Sequence, residues 1–305
     1  MTQGCQLAGV DFSSAPTRRK PITVALGALT GAVVTLSDLL RLESLPAFEA
    51  WLAHPGPPGT PVVAGFDFPF GLPRELVQTL GWPTGWADCM RHYASLSRQD
   101  ISAQFKAFRD ARPVGGKFAH RASDGPAGAS PSMKDVNPPV AYMLHAGAPR
   151  LLDAGWHIPG LHEGDASRVA LEAYPGLLAR ELIGPRSYKS DDKAKQTPER
   201  LIARKDLLNA LELGQTRLRL RLKTRHALRE QLLDDASGDL LDAALCLVQA
   251  AWAANIGPAE PSFGLGGHPK PRQRSPGWGL PAGIDPMEGW IITAVPTRVP
   301  TSNPK

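Results

Sequence analysis

Cysteine is scarce in this chain of 305 residues: Cys5, Cys89 and Cys246 stand far apart, with no C-x-x-C pair. A disulfide framework or a zinc knuckle needs cysteines paired at defined spacing, so neither is expected, and all three read as reduced thiols. Long apolar runs are missing too. No window reaches the roughly 18 consecutive apolar residues of a membrane span. The first apolar strand begins so close to Met1 that a charged and apolar leader has no room. The expectation is a cytoplasmic protein with no membrane partner. No repeat of about 20 to 50 residues recurs.

What is present is a globular composition. At 42% apolar the chain can bury one large core or two modest ones. The formal charge of +5 and the pI near 9.2 permit a phosphate-bearing partner without requiring one. Distribution says more than the total: six Lys/Arg and no acid lie in "RLRLRLKTRHALR", from Arg217 to Arg229. A second basic scatter runs through Lys106, Arg109, Arg112, Lys117 and Arg121. Solvated faces are the commoner meaning of such runs. Lys189, Arg217, Arg221 and Arg225 are nevertheless kept as candidate phosphate contacts.

The opening residues read as strand, strand, strand, helix, strand. "QLAGVDFSS", "PITVALGAL" and "GAVVTL" are short apolar runs separated by turn residues, which predicts an antiparallel meander. "LPAFEAWLAHPG" has one helical face and closes on Pro-Gly, and the strand "TPVVAGFDFPFGLP", reached through that helix, is expected parallel to its neighbour. From 73 to 164, Gly, Pro and Ser are frequent and helical patches short, so this stretch is read as an insertion or cap, partly mobile around "SDGPAGASPS". "RVALEAYPG" resumes the sheet. Helices follow at "PGLLARELIG", at "TPERLIARKDLLNALELG" with Thr197 as cap, and at "GDLLDAALCLVQAAWAANIG". Residues 257 to 283 read as a Pro/Gly-rich loop and "DPMEGWIITAV" as a last short strand. "TRLRLRLKTR" alternates with period 2, but its helical setting favours a helix.

An acid stands inside or at the end of four apolar stretches: Asp11 in "GVDFSS", Asp67 in "GFDFPFG", Glu172 in "ALEAYPG", and Asp239 with Asp242 in "GDLLDAALCLVQAAW". A buried carboxylate needs a partner, since desolvation costs several kcal/mol. Asp239 alone fits a helix N-cap, but four such stretches strain that reading. On the last helix Asp239, Asp242, Cys246 and Gln249 fall on one stripe of an otherwise apolar surface. If that helix packs beside the strands bearing Asp11 and Asp67, several negative charges converge. Two unit charges 4 Å apart repel by about 4 kcal/mol at an effective dielectric near 20. Raised pKa values, basic partners or bound cations must then relieve the repulsion. Oxygen ligands with no His or Cys at metal spacing select Mg²⁺ or Mn²⁺ over zinc. Two such ions about 4 Å apart suit phosphodiester hydrolysis.

The order of meander, helix, parallel strand and later strand, with acids on strands one and four and Asp-x-x-Asp opening a final helix, resembles the ribonuclease H-like superfamily. The helix pair is similar to that of RuvC-type resolvases. More closely, "GVDFSSAP", "GFDFPFGLP", "EAYPG", "DLLDAALCLVQAAW" and "GIDPMEGWI" in this order resemble the domain of unknown function 429 family, described as predicted nucleases. The resemblance covers 5–75, 168–184 and 237–292. It implies an α/β fold with a mixed five-stranded sheet, three antiparallel strands followed by parallel ones. Helices would flank this core, formed by 1–72 and 165–295, with 73–164 inserted. It also implies a divalent-metal-dependent nuclease of DNA or RNA. Asp11, Asp67, Asp239 and Asp242 would hold Mg²⁺ or Mn²⁺, and Glu172 would either join the catalytic acids or orient Lys189 or another basic group.

Other readings are weaker. An ATP-dependent phosphotransferase of the actin and sugar-kinase type needs a duplicated domain, and none follows Glu172. A non-catalytic nucleic-acid-binding module would suit an incomplete acid set. His120 and His145 could assist proton transfer, although packed or solvent-facing histidines are commoner. Tyr188 and Lys189, in "RSYKSDD", could reach a phosphate, with a plain loop the simpler reading. Gly115 and Gly116 lack the preceding strand and spacing of a phosphate loop.

Overall fold

The computed structural model describes residues 4–259 and 275–296. The opening stretch folds as its pattern predicts. β1 (Gln6–Asp11), β2 (Ile22–Thr30) and β3 (Val33–Leu42) form the antiparallel meander, and α1 (Leu45–Ala53) leads to β4 (Val62–Asp67), parallel to β1. The Ser44 hydroxyl accepts from the Ala47 N–H and starts α1, which turns Phe48, Trp51 and Leu52 inward.

Between β4 and the next long strand lie α2 (Arg74–Thr79), α3 (Trp86–Ser95), α4 (Arg98–Asp110), α5 (Asp124–Ala127) and α6 (Val140–Asp153). This stretch is more helical than its composition suggests. Gly147 and Pro149 look like breakers, yet both lie inside α6. Gly147 is there for room: a Cβ would stand 2.6 Å from the Phe68 ring. The segment around "SDGPAGASPS" carries α5, with Asp124 wholly buried. The chain continues through β5 (Trp156–His157), β6 (Asp165–Glu172), α7 (Pro175–Ile183), α8 (Pro198–Leu213), β7 (Arg221–Lys223), α9 (His226–Asp234) and α10 (Asp239–Ile256).

The sheet has seven strands in the order β5-β6-β4-β1-β2-β3-β7. Five of them are the expected strands in the expected relation, and the short β5 and β7 extend the two edges, so the five-strand count is corrected to seven. The helix expected at "TRLRLRLKTR" is also corrected. Its period of 2 prevails: Leu218, Leu220 and Leu222 are buried while the intervening arginines are exposed, and β7 pairs parallel to β3. No strand forms at "DPMEGWIITAV". Asp285 instead accepts from the Met287 N–H at 2.8 Å, an Asx-type turn, and the segment meets β6 through the bond from Ile292 N–H to Glu172 O. The loop expected at 257–283 lies partly outside the described residues; its described ends touch through Pro258 and Gly277.

The sheet separates two apolar clusters. One holds the apolar faces of α7 to α10, while the other joins α1 to α3, α4 and α6. The inserted segment therefore supplies about half of the second cluster, packing Trp86, Tyr93 and Phe105 into the group of Phe66, Phe68 and Phe70. Among the described residues one helix, α10, is long and apolar enough to cross a membrane; it is mostly buried at the centre of this fold.

Candidate metal centre

Strand alternation sets the site. Leu7, Gly9 and Asp11 on β1, and Val63, Gly65 and Asp67 on β4, face α10, and the parallel register pairs Gly9 with Gly65 and Asp11 with Asp67. The two glycines let the helix backbone lie directly on the sheet. A Cβ on Gly9 would stand 2.1 Å from Ala243 O and from Leu247 N, and one on Gly65 would stand 2.8 Å from Cys246 O. With the helix pressed there, its first turn opens at the ends of β1 and β4.

That turn carries Asp242, fully buried. One oxygen from each of Asp11, Asp67 and Asp242 lies within 4.8 Å of the others, an arrangement that can hold a metal ion. Two neighbours already address Asp242: the Tyr188 hydroxyl donates to Oδ1 at 2.5 Å, and the Lys189 ammonium pairs with Oδ2. The charges strain one another. Burial first, then Asp242 and Asp239, lifts Asp11 well above the usual carboxylate range, with Lys189 opposing. Burial, then Asp242, raises Asp67 to about 7, again against Lys189. Burial works to lower Lys189, but Asp242 leads the groups that outweigh it, and the ammonium is held well above its ordinary range. The first turn of α10 also offers the positive end of the helix dipole to the carboxylates.

Among the described residues, Asp239 and Glu172 lie outside this three-acid group. Three residues turn a helix by about 300°, so Asp239 and Asp242 diverge by roughly 60°. Asp239 turns towards Lys20, and its carbonyl accepts from the Thr23 hydroxyl at 2.8 Å. It is not the N-cap. Gly238 occupies that position, and the Asp235 carboxylate accepts from the Leu240 N–H at 2.8 Å.

Glu172 pairs in register with Phe66, one residue short of Asp67, so its side chain leaves from the opposite face. There Arg121 grips it with two bonds of 2.7 Å, and the Phe70 N–H donates at 3.0 Å. Burial pushes Glu172 up and Arg121 pulls it back. Of the two roles open to it, Glu172 thus faces another basic group, not Lys189.

The arginines of the basic run do not reach the acids. β7 pairs with β3 at Val33 to Thr35, at the end of the sheet opposite Asp11. Arg217 bonds Glu181 and Thr293 O, Arg221 the Glu212 carbonyl, and Arg225 the Ser37 carbonyl. His145 packs edge-on to Tyr93 with a ring nitrogen 3.1 Å from Leu96 O, and burial lowers it; His120 is exposed.

The glycines and the cations at the strand mouth escaped the sequence reading. A signal for the glycines exists: "AGVDF" and "AGFDF" repeat one five-residue pattern on the two strands, and an isolated strand glycine marks a close backbone approach. The cations have a weaker one. Arg41 stands across from Thr23, and Thr23 across from Asp11, so one row crosses the mouth from cation to carboxylates. Arg41, Arg19, Lys20 and Lys193 line an open cavity of about 640 Å³ that also reaches Asp239.

Fold and site together define an α/β protein whose mixed sheet and buried helix bring three carboxylates to one metal-compatible point. The chain belongs to the family described as protein of unknown function (DUF429), whose model matches residues 9–263. No curated protein and no solved structure matches it.

Proposed function

We propose that this chain is a divalent-metal-dependent nuclease on a ribonuclease H-like core, hydrolysing phosphodiester bonds of DNA or RNA. The observation that carries the reading is the convergence of Asp11, Asp67 and Asp242 within 4.8 Å at one sheet end. The donor set fits the metal: three carboxylates offer hard oxygens, no histidine among the described residues joins them, and burial keeps the nearby Cys246 thiol protonated. Mg²⁺ or Mn²⁺ held there, as one ion or a pair, would activate water and stabilise the leaving oxygen. The order β3-β2-β1-β4-β6, with acids ending β1 and β4, supports the ribonuclease H-like assignment.

The chain's own residues have separable tasks. Asp11, Asp67 and Asp242 hold the ion, and Tyr188 fixes the carboxylate of Asp242 by its hydrogen bond. Lys189, paired with Asp242, stands where a phosphate oxygen would approach. Lys20, Arg41 and Lys193, along the mouth, take the backbone-holding task first given to Arg217, Arg221 and Arg225. Asp239 tempers Lys20 and belongs to this rim.

A panel of single-stranded, duplex and branched DNA and RNA, incubated with Mg²⁺ or Mn²⁺, tests the reading. Cleavage by the wild type, lost in Asp11→Asn and in Asp242→Asn, is expected. Cleavage undiminished in Asp11→Asn removes that residue from the site, and no cleavage of any substrate overturns the proposal.

A further inference from the structure

A cavity of about 270 Å³ opens beside the carboxylates, with Asp67 and Lys189 among its lining residues. Phe68, Met143, Val140 and Ile291 give it an apolar wall, and the paired Arg121 and Glu172 add a polar edge. Val140 and Met143 come from the first turn of α6, so the inserted helices build this wall. A second cavity, of about 220 Å³, shares Asp67, Lys189 and Tyr174 with the first and is lined further by Arg180 and Arg186. The two cavities therefore flank the point where the acids meet.

We infer that the apolar cavity receives one unpaired nucleobase of the strand whose phosphate lies at Asp11, Asp67 and Asp242. The inference rests on the nuclease reading and narrows its substrate to single-stranded or locally opened nucleic acid. Size is the first argument. Pockets for drug-sized ligands hold about 300–1,000 Å³; this one is smaller and suits a single ring system, not a stacked pair. Chemistry is the second: an occupant needs an anionic end beside Lys189 and the ion, and a flat apolar body against Phe68, Val140 and Met143. A nucleotide has both. Continuity is the third, because a strand leaving the shared residues Asp67, Tyr174 and Lys189 enters the neighbouring cavity, where Arg180 and Arg186 offer cations to its next phosphate. A paired base is held in its helix and would have to be flipped out to reach the wall.

The test is calorimetric titration in Mn²⁺ with AMP, CMP, ribose 5-phosphate and inorganic phosphate. Both nucleotides are expected to bind at least tenfold more tightly than ribose 5-phosphate. Val140→Trp, which fills the cavity from the rim, should reduce them to the level of ribose 5-phosphate and leave inorganic phosphate unchanged. Met143→Trp, on the same turn of α6, provides a second filling variant, and melting curves verify that each is folded. Equal binding of nucleotides and ribose 5-phosphate to the wild type overturns the inference, as does a preference untouched in both folded variants, or no binding of any nucleotide. Its failure is distinguishable from that of the nuclease reading. Cleavage of single strands without a base preference removes the base cavity alone, whereas a base preference without cleavage of any nucleic acid removes the nuclease and leaves the cavity.

Discussion

Asp67 concentrates the electrostatics of the site. With its pKa raised to about 7 from an ordinary 3.8, the folded state keeps a proton that the unfolded state has released across that interval. Stability therefore falls as pH rises from about 4 to about 7 and levels off above, by at most about 1.4 kcal/mol per pH unit for such a group. Asp67→Asn removes this term. Without added metal, thermal melting should show the variant more stable than wild type at pH 8, with the difference closing towards pH 5. The ion reverses the dependence, since a cation must displace the proton. Stabilisation by millimolar Mn²⁺, as a melting shift, should be larger at pH 8 than at pH 5.5 and absent in Asp11→Asn. Lys189→Met, which strips Asp242 of its ammonium, should lower the melting temperature in chelator and enlarge the Mn²⁺ shift. Asp11, Asp67 and Asp242 were legible in sequence because each is a charge in an apolar setting. The separation of Asp239 and Glu172 was not, since it depends on a turn of helix and on one step of strand register.

Among the elements, α10 sets the distances. Replacing Gly9 or Gly65 with Ala puts a methyl into helix backbone, and Gly9→Ala should cost about 3 kcal/mol or more, because both 2.1 Å contacts are main chain and neither can rotate away. Gly65→Ala, at 2.8 Å, should cost less; urea melts of the two variants rank them. The strands β1 to β4 and the helices α7, α8 and α10 could be read from periodicity and caps. β7 could not, because so short a strand competes with helical surroundings despite its alternation, and a parallel partner 188 positions away is invisible locally (Val33 pairs with Arg221). α6 was hidden by Pro149 and Gly147, residues that break isolated helices but are tolerated where packing against Phe68 decides.

For the whole molecule, Arg121 ties three regions together. From the inserted segment it bonds Glu172 at the end of β6, Asp124 at the start of α5, and the carbonyl of Glu288 near the C-terminal end of the described chain. Arg121, Asp124 and Glu172 are all buried, so deleting the guanidinium leaves two carboxylates without their cation. Arg121→Ala should destabilise by about 3–5 kcal/mol, measurable by denaturant melts. Arg74 with Asp285 makes a second tie between the same regions, at 2.5 Å. Composition suggested a loose cover over 73–164. The aromatic side chains that tie it into the core, Trp86, Tyr93 and Phe105, are spread over α3 and α4, and single helical patches do not reveal that they meet.

The pairing of Gly9 with Gly65 has a mechanical meaning. Side chains between a helix and a sheet act as springs: they hop rotamers, and the layers slide by fractions of an ångström. Bare backbone against bare backbone is a hard stop. Sliding α10 along β1 and β4 would force carbonyl oxygens across amide groups, so the spacing between Asp242 and the strand acids inherits the stiffness of the pleat. The tolerance of a cluster drawn from residues 11, 67 and 242 is thereby set by two hydrogen atoms where side chains would otherwise be.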